Sequence, residues 1–361
     1  MKQTKNKRGL LLVLLIMGFV TFSAKAVSVT KEKIINKVFT VGNEDRLSLD
    51  NCYGSITLKH WDKNEVSIKV VIRSKSRSEK GAIEGLERVD IDLLQKGNEV
   101  KAITNITNSP SGFSSFFSKV IGSELSIDYE VTMPPLLFAK LQQKYGDIML
   151  PASSEEEMDI DIQYGTLTAG NLNNYVKIKA SYSKVAIENL GKADLDLAYV
   201  KNFTMSNADS LKVDAKYSSM YVKKIKRIAL KLDYGSIDFN ELYSGNIETR
   251  YSNLDIVQLT GTLKLEADYS NLDIAKITKD FKDIQIDLKY SDLGLVFHKD
   301  AAFILESDHY KLKEDKLKKI YVSDVVRVDD YLRSARINGG GTSHVQLKEI
   351  EHSKISFDTV L

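Results

Sequence analysis

Residues that cross-link or interrupt a chain are rare in this sequence of 361 residues, which has one Cys and four Pro. A single cysteine cannot form an intramolecular disulfide, and it excludes a cysteine-rich zinc site. A surplus of either charge is missing as well, because 51 Lys and Arg oppose 49 Asp and Glu. Proteins that bind nucleic acids usually carry a clear basic excess. We therefore expect no nucleic-acid partner.

Long apolar runs are absent except near the N-terminus, where Leu10–Phe22 contains no charged residue. The eight residues before it carry four cations and no acid, and Ala24 and Ala26 follow it. A basic start, a short apolar run and small residues at the cleavage point predict a secretory signal peptide over residues 1–26. Its removal would leave a mature chain of net charge −3. We expect export to the periplasm, the cell surface or the medium, and no membrane span after cleavage.

Tyrosine is abundant, with 17 copies, and nine of them end the same short pattern of two alternating apolar residues followed by Tyr, or a close variant of it. Successive copies are 17 to 21 residues apart. These repeat tyrosines are Tyr145, Tyr164, Tyr182, Tyr199, Tyr217, Tyr234, Tyr251, Tyr269 and Tyr290. Tyr310 would mark a further, decayed copy. Two residues, small or polar in nearly every copy, and a second alternating run follow the Tyr.

Alternation with a period of two indicates strands with one buried face. A unit of about 18 residues cannot offset its own loss of backbone entropy by burying a handful of side chains. Stacked units share a core and hydrogen-bond to one another. The repeat therefore predicts an all-β fold, a parallel β-solenoid with two short strands per turn. The tyrosines share the phase of the buried residues, so we expect them to point inward as a stacked ladder.

Residues at equivalent positions of such a solenoid form columns along its axis. One outward column alternates in charge, from Lys216 through Asp233, Arg250 and Asp268 to Lys289, which would favour the correct register. A second column holds Asp238, Asp255 and Asp273, which either share a cation or form a solvated acidic stripe. The motifs H-E-x-x-H, G-x-S-x-G and G-x-G-x-x-G do not occur, and no phosphate-binding loop does. We therefore expect no catalytic residue, no cofactor and no enzymatic activity.

The remaining chain divides around the repeats. Residues 27–133 lack the period and predict an irregular β region that covers the first turn, with a short helix near residues 78–88. A loop over residues 109–119 carries Phe113, Phe116 and Phe117, which would contact a partner or fold back onto the core. We place the solenoid repeats at 134–310 and terminal turns with a C-terminal cap at 311–361.

The run Leu49–Leu58, which includes Cys52-Tyr53-Gly54-Ser55, is followed by Trp61-Asp62-Lys63-Asn64-Glu65-Val66. This opening resembles that of the bacterial putative-adhesin β-solenoid family, and the Tyr-Gly and Tyr-Ser repeats are similar to the family's repeat region. The resemblance implies an exported β-helical protein of largely unknown activity. It carries no functional residues over.

Three functions follow as hypotheses. The first is an exported, non-enzymatic adhesin-like module or scaffold that binds a glycan or a protein of the cell envelope or surface. The second is a polysaccharide lyase or hydrolase built on a β-helix, which would need converging acids and bases in a groove. The third is a structural protein of the envelope that acts under stress.

Overall fold

The computed structural model describes residues 28–107, 123–308, 312–317, 320–328 and 330–360. The strands of these residues form one hydrogen-bonded sheet that winds around a single hydrophobic core. The predicted all-β fold is confirmed as a parallel β-solenoid with an irregular β region before it. The predicted signal peptide, the loop with Phe113, Phe116 and Phe117, and Tyr310 lie outside the described residues.

The N-terminal region contains a short helix and the strands that lead into the solenoid. They are β1 (Val29–Thr40), β2 (Arg46–His60), β3 (Glu65–Ser76), α1 (Glu79–Glu87), β4 (Val89–Lys96), β5 (Glu99–Ile106) and β6 (Ser123–Met133). The helix begins where the Ser78 side chain accepts a hydrogen bond from the Gly81 amide, the usual arrangement of an N-cap. The helix and strands predicted for this region are found.

Strand β2 is the first turn of the solenoid, because it pairs in parallel with β7 (Phe138–Met149) from Arg46 to Thr57. The other edge of β2 is covered by two strands: β5 pairs with its first half and β6 with its second half. Strands β3 and β1 extend the sheet from β6 by antiparallel pairing, and β4 extends it from β5 in the same way. The first turn therefore presents no bare edge along these segments.

The following turns are built from parallel strands, each paired with the corresponding strand of the next turn. They are β8 (Ser153–Ser154), β9 (Met158–Gln163), β10 (Thr166–Ser181), β11 (Lys184–Ala198), β12 (Asn202–Lys216), β13 (Ser219–Asp233), β14 (Ser236–Arg250), β15 (Asn253–Asp268), β16 (Asn271–Ile277), β17 (Asp283–Lys289) and β18 (Asp292–His298). From β10 to β15, each turn holds one strand of 15 or 16 residues. Two short strands were expected; instead, the chain stays hydrogen-bonded to its neighbours around the bends.

The cross-section of the solenoid can be read from the buried residues of a single turn. In the turn that contains β12, the buried side chains are those of Phe203, Met205, Ala208, Leu211, Val213, Ala215 and Ser218. Their spacing is two along the flat segments and three where the chain bends. A spacing of three keeps the next side chain inside after the backbone has turned a corner, so one turn has three bends.

The last turn comes from a distant part of the sequence. Strand β22 (Ser343–Glu351) pairs with β17, and β23 (Lys354–Val360) pairs with β18. The chain between β18 and β22 leaves the stack and forms β19 (Phe303–Ser307), a 3-10 helix (Glu314–Leu317), β20 (Val322–Val328) and β21 (Tyr331–Ile337). β19 pairs in parallel with β22, and β20 and β21 extend the sheet antiparallel. The C-terminal strands thus close the solenoid after an excursion.

Candidate functional site

The nine repeat tyrosines form the predicted ladder, and two further rings extend it. Tyr53 stacks on Tyr145 at one end, and His352 stacks on Tyr290 at the other. Neighbouring tyrosine rings have centroids 4.6–5.2 Å apart and planes within 2–11° of each other. The ladder therefore runs along the solenoid from its first turn to its last.

The expectation that these tyrosines point inward was wrong. From Tyr182 to Tyr290 the ladder residues are 41–51% exposed. All ten ladder tyrosines have a positive φ, between 50° and 60°. In this left-handed conformation the chain turns at the tyrosine itself, so Ala215 and Ser218 both point inward while Tyr217 between them points out of the corner. The bend lies one residue earlier than the alternation indicates.

The exposed rings do not offer their flat faces to a ligand. Each interior ring is covered on both faces by its neighbours, so only ring edges and hydroxyl groups meet the solvent. A sugar ring binds aromatic side chains through an open face, so the ladder is no sugar-stacking platform along its length. The ladder stabilises the fold, because each stacked pair of rings contributes about 0.5–1.5 kcal/mol in addition to the free energy gained by burying apolar surface.

Beneath the tyrosines runs a column of buried serines that the sequence patterns did not reveal. The residue after each ladder tyrosine from Tyr251 to Tyr290 is a serine that is 2–4% exposed. The Ser270 hydroxyl donates to the carbonyl of Asp268 over 2.9 Å and accepts from the Ser252 amide over 3.2 Å. Ser252 and Ser291 repeat the pattern. These hydroxyls form hydrogen bonds with backbone groups at the corner. The sequence signal for this column was the small residue that follows nearly every ladder tyrosine.

The charge-alternating column lies as predicted, with each member directly opposite the next. The register pairs Lys216 with Asp233, Asp233 with Arg250, Arg250 with Asp268 and Asp268 with Lys289. One pair is an ion pair, in which Arg250 Nε lies 3.6 Å from an Asp268 carboxylate oxygen. Such exposed pairs contribute about 0–1 kcal/mol each, so their main effect is on register.

The aspartates considered as a weak cation site are adjacent on the surface. Asp238 lies opposite Asp255, which lies opposite Asp273. Desolvation, the charge of Asp255 and a hydrogen bond with it all raise the pKa of the Asp238 carboxyl. In the described part of the chain, no group of three or more His, Cys, Asp or Glu side chains has an arrangement that could hold a metal ion.

The flat face before the tyrosine corner carries a shallow groove of about 560 Å³ that crosses several turns. Its floor contains short polar side chains, including Ser244, Asn246 and Thr262, and the Ser244 and Thr262 hydroxyls are 2.8 Å apart. Lys212, Arg227 and Lys264 also line the groove, as do the acids Asp194 and Asp283. The groove thus presents hydroxyl and amide groups together with charged groups, most of which are cationic. These groups repeat at the spacing between neighbouring strands.

A smaller cleft of about 390 Å³ lies beside the start of the repeats, lined in part by Trp61, Pro135 and Leu136. Leu136 is 71% exposed and has a φ of 79°, a strained conformation for this residue. The ring of Trp61 is covered on one side by Lys63, whose Nζ lies 4.9 Å from the ring centroid.

The chain has similarity in structure to two proteins with adhesin-type names. One is a putative cell adhesion protein from Clostridium sporogenes, at 10% identity and a TM-score of 0.21, covering 91% of this chain and 100% of that chain. The other is a putative adhesin from Bacteroides fragilis, at 8% identity and a TM-score of 0.23, covering 91% of this chain and 97% of that chain. No family model matches the sequence, and no curated protein does.

Within the described residues, no helix has the length and apolar character needed to cross a membrane.

Proposed function

We propose that this protein is an exported, non-enzymatic adhesin-like module that binds a glycan or a protein of the bacterial cell envelope or surface through its flat face. The observation that supports the proposal is the groove of the flat face, in which Lys212, Arg227 and Lys264 accompany a floor of short polar side chains. The pattern of export signals at the N-terminus supports the location.

The solenoid suits this role because its strands repeat functional groups at about 4.8 Å along one axis. A polymer chain or a flat protein surface can contact many such groups at once, so weak individual contacts add up to a useful affinity. Short side chains on the floor lose little conformational entropy when they are ordered by a ligand. The cations add hydrogen bonds to charged or polar groups, each contributing about 1.5–3 kcal/mol.

The first test is a pair of charge-reversal variants with the same change in net charge. The groove variant is the double substitution Lys212→Glu and Arg227→Glu. The control variant is the double substitution Lys184→Glu and Lys201→Glu, at exposed positions outside the groove. Both proteins are measured against envelope fractions and a glycan array. We expect the groove variant to lose at least about tenfold in binding, since two charged contacts are removed, and the control to bind like the wild type.

Equal losses in the two variants would show that overall charge, not the groove, determines binding. No binding by the wild type to any envelope component, together with unaltered attachment of a deletion strain, would contradict the proposal. The non-enzymatic part is tested on the same ligand: after incubation, a bound glycan should be recovered at its original length. Shortened chains would favour the lyase or hydrolase hypothesis.

The location is tested separately by cell fractionation combined with proteolysis of intact cells. We expect the mature chain to begin after Ala26 and to be found outside the cytoplasm. A chain retained in the cytoplasm with residues 1–26 intact would contradict export.

A further inference from the structure

We propose that the tyrosine ladder is a site of oxidative coupling, at which a peroxide-consuming peroxidase joins neighbouring tyrosines of one chain into dityrosine. The proposal concerns a modification, and it does not depend on the binding function proposed above. It rests on the distance, the orientation and the exposure of the ladder rings.

The ladder places phenol rings in the arrangement that coupling requires. The closest pair is Tyr182 and Tyr199, with centroids 4.6 Å apart and planes 4° from parallel. In two parallel rings related by a simple shift, equivalent carbons are about as far apart as the centroids. The ring carbons next to the two hydroxyls therefore lie within one tilting motion of contact. Such fixed proximity replaces a collision between two molecules and raises the coupling rate accordingly.

The rings are accessible as well as close. From Tyr182 to Tyr290 each ladder tyrosine is 41–51% exposed, so a soluble oxidant or a peroxidase intermediate can reach it. The rings contact their neighbours through their faces, which leaves room on the solvent side for the tilt that bond formation requires. Tyr129, by contrast, is fully buried, and it serves as an internal reference that should not react.

The chemistry of the step is balanced. Each of two adjacent phenols gives up one electron and one proton and becomes a phenoxyl radical. The radicals combine at ring carbons next to the oxygen, forming one carbon–carbon bond, and the hydrogen on each joined carbon moves as a proton to the phenolic oxygen. Two electrons and two protons therefore leave in total, and one hydrogen peroxide takes them up and becomes two water molecules.

The product would be a covalent link between successive turns. Tyr182 and Tyr199 belong to neighbouring turns whose backbones already pair, so the link crosses from one turn to the next without rearranging the fold. A cross-link of this kind restricts the unfolded chain and thereby stabilises the folded one. An exposed protein would gain resistance to unfolding under the oxidising conditions that form the link.

The test compares two variants that each replace five ladder tyrosines by Phe. The alternating variant changes Tyr145, Tyr182, Tyr217, Tyr251 and Tyr290, and it leaves no two ladder tyrosines adjacent. The block variant changes Tyr217, Tyr234, Tyr251, Tyr269 and Tyr290, and it keeps four of the nine adjacent tyrosine pairs. Phe preserves the ring stack, and circular dichroism confirms that both variants fold.

Each full-length mature protein is treated in dilute solution with horseradish peroxidase and hydrogen peroxide. Dityrosine is measured by its fluorescence, and the linked peptides are identified by mass spectrometry through the loss of two hydrogen atoms per link. We expect monomeric product in the wild type, roughly half of that yield in the block variant, and only background in the alternating variant. Peptides that join Tyr182 to Tyr199 should be among those of the wild type.

Equal yields in the two variants would overturn the proposal, because adjacency in the ladder would then be irrelevant. Cross-links found only between separate chains would overturn it too. The mapping of linked peptides in the wild type needs no variant, so it tests the proposal even if one of the substituted proteins fails to fold.

Discussion

At the scale of the residue, the tyrosine corner combines an unfavourable backbone with favourable stacking. A non-glycine residue in the left-handed region costs about 1–2 kcal/mol. An interior ladder tyrosine stacks on two neighbours, and each stacked pair contributes about 0.5–1.5 kcal/mol. The two effects are of similar size, so the stack can maintain at every turn a conformation that glycine or asparagine would usually supply.

Replacing one ladder ring separates the role of the ring from that of the hydroxyl. Tyr217 stacks at 4.9 Å on Tyr199 and at 5.1 Å on Tyr234. We expect Tyr217→Ala to lower the free energy of unfolding by about 1–3 kcal/mol, because both contacts are lost. Tyr217→Phe should stay within about 0.5 kcal/mol of the wild type, since it retains the ring. Urea unfolding measures both, and equal effects of the two substitutions would contradict a stacking role.

The paired aspartates predict a dependence of stability on pH. Because the folded state raises the pKa of Asp238 above 3.8, it disfavours the ionised carboxylate relative to the unfolded chain. This penalty is present above the raised pKa and disappears below about pH 4, where the carboxyl is protonated in both states. We therefore expect Asp238→Asn to raise the melting temperature at neutral pH but not at pH 3. A stabilisation that is independent of pH would show that charge is not the cause.

Which positions carry tyrosine could be read from the sequence, but the direction of the rings could not. Alternation fixes which side of a strand is buried only while the backbone stays extended. A single left-handed residue breaks that rule, and nothing in the residue type Tyr indicates a left-handed conformation. His352 joins the ladder because of its place in the stack, 62 residues after Tyr290 in the sequence, where no repeat spacing could identify it.

At the scale of the element, each turn is joined to the next by backbone pairing and by the serines at the corner. A serine hydroxyl is small enough to lie under the tyrosine corner, and it bonds both its own turn and the one before. The residue after each ladder tyrosine is Gly or Ser, except for Val200. At Gly146 and Gly165 the backbone of the neighbouring turn comes close, because an added Cβ would lie 1.7 and 1.8 Å from its carbonyl oxygen, whereas Ser places a hydrogen-bonding group at this position.

Removing one of these hydroxyls should destabilise the stack. Ser270→Ala takes away the acceptor of the Ser252 amide, at a site where Ser270 is 2% exposed. We expect a loss of about 1–3 kcal/mol in the free energy of unfolding, because a buried amide loses its partner. Ser236→Ala, at a half-buried position on the outer surface, is the matched control and should have little effect. Similar losses in both would argue against the serine column.

The strands of the repeat region were predictable because their apolar residues alternate along each flat segment. The bends were harder to place. At Leu242 and Ser244 the register with the next strand shifts by one residue, and the extra residue is absorbed within the strand. Hydrogen bonding to neighbours on both sides lets the backbone bend without ending the strand, an effect of the assembled stack that a single repeat does not encode.

At the scale of the whole molecule, the two ends of the solenoid differ from its middle. The first turn, β2, lies within the region that lacks the repeat period, and strands from that same region cover its edge. The last turn is supplied after an excursion of the chain between β18 and β22. Neither arrangement could be derived from the repeat, because a terminal turn lacks one neighbour and its sequence is free to depart from the pattern.

The flat face is also a property of the whole molecule. Lys212, Arg227 and Lys264 belong to three different turns, and only the register of the strands brings them to one groove. From the sequence, the residues of this face could be assigned to the outside of the strands, but the groove between them depends on the relative lengths of side chains in successive turns.

The in-register parallel stack is the claim on which the ladder, the groove and the coupling site all depend. It is tested most directly by distances between spin labels on one column of exposed residues, with Cys52 replaced by Ser. Thr204 and Asp273 are four turns apart in the register. Ala186 and Ser356 are seven turns apart, although the excursion separates them in sequence.

At about 4.8 Å per turn, pulsed electron paramagnetic resonance should give backbone separations of about 19 Å for Thr204–Asp273 and about 34 Å for Ala186–Ser356. Each distribution should be narrow. The parallel stack would be contradicted by equal distances for the two pairs. It would also be contradicted if the Ala186–Ser356 distance did not exceed the Thr204–Asp273 distance by about the height of three turns.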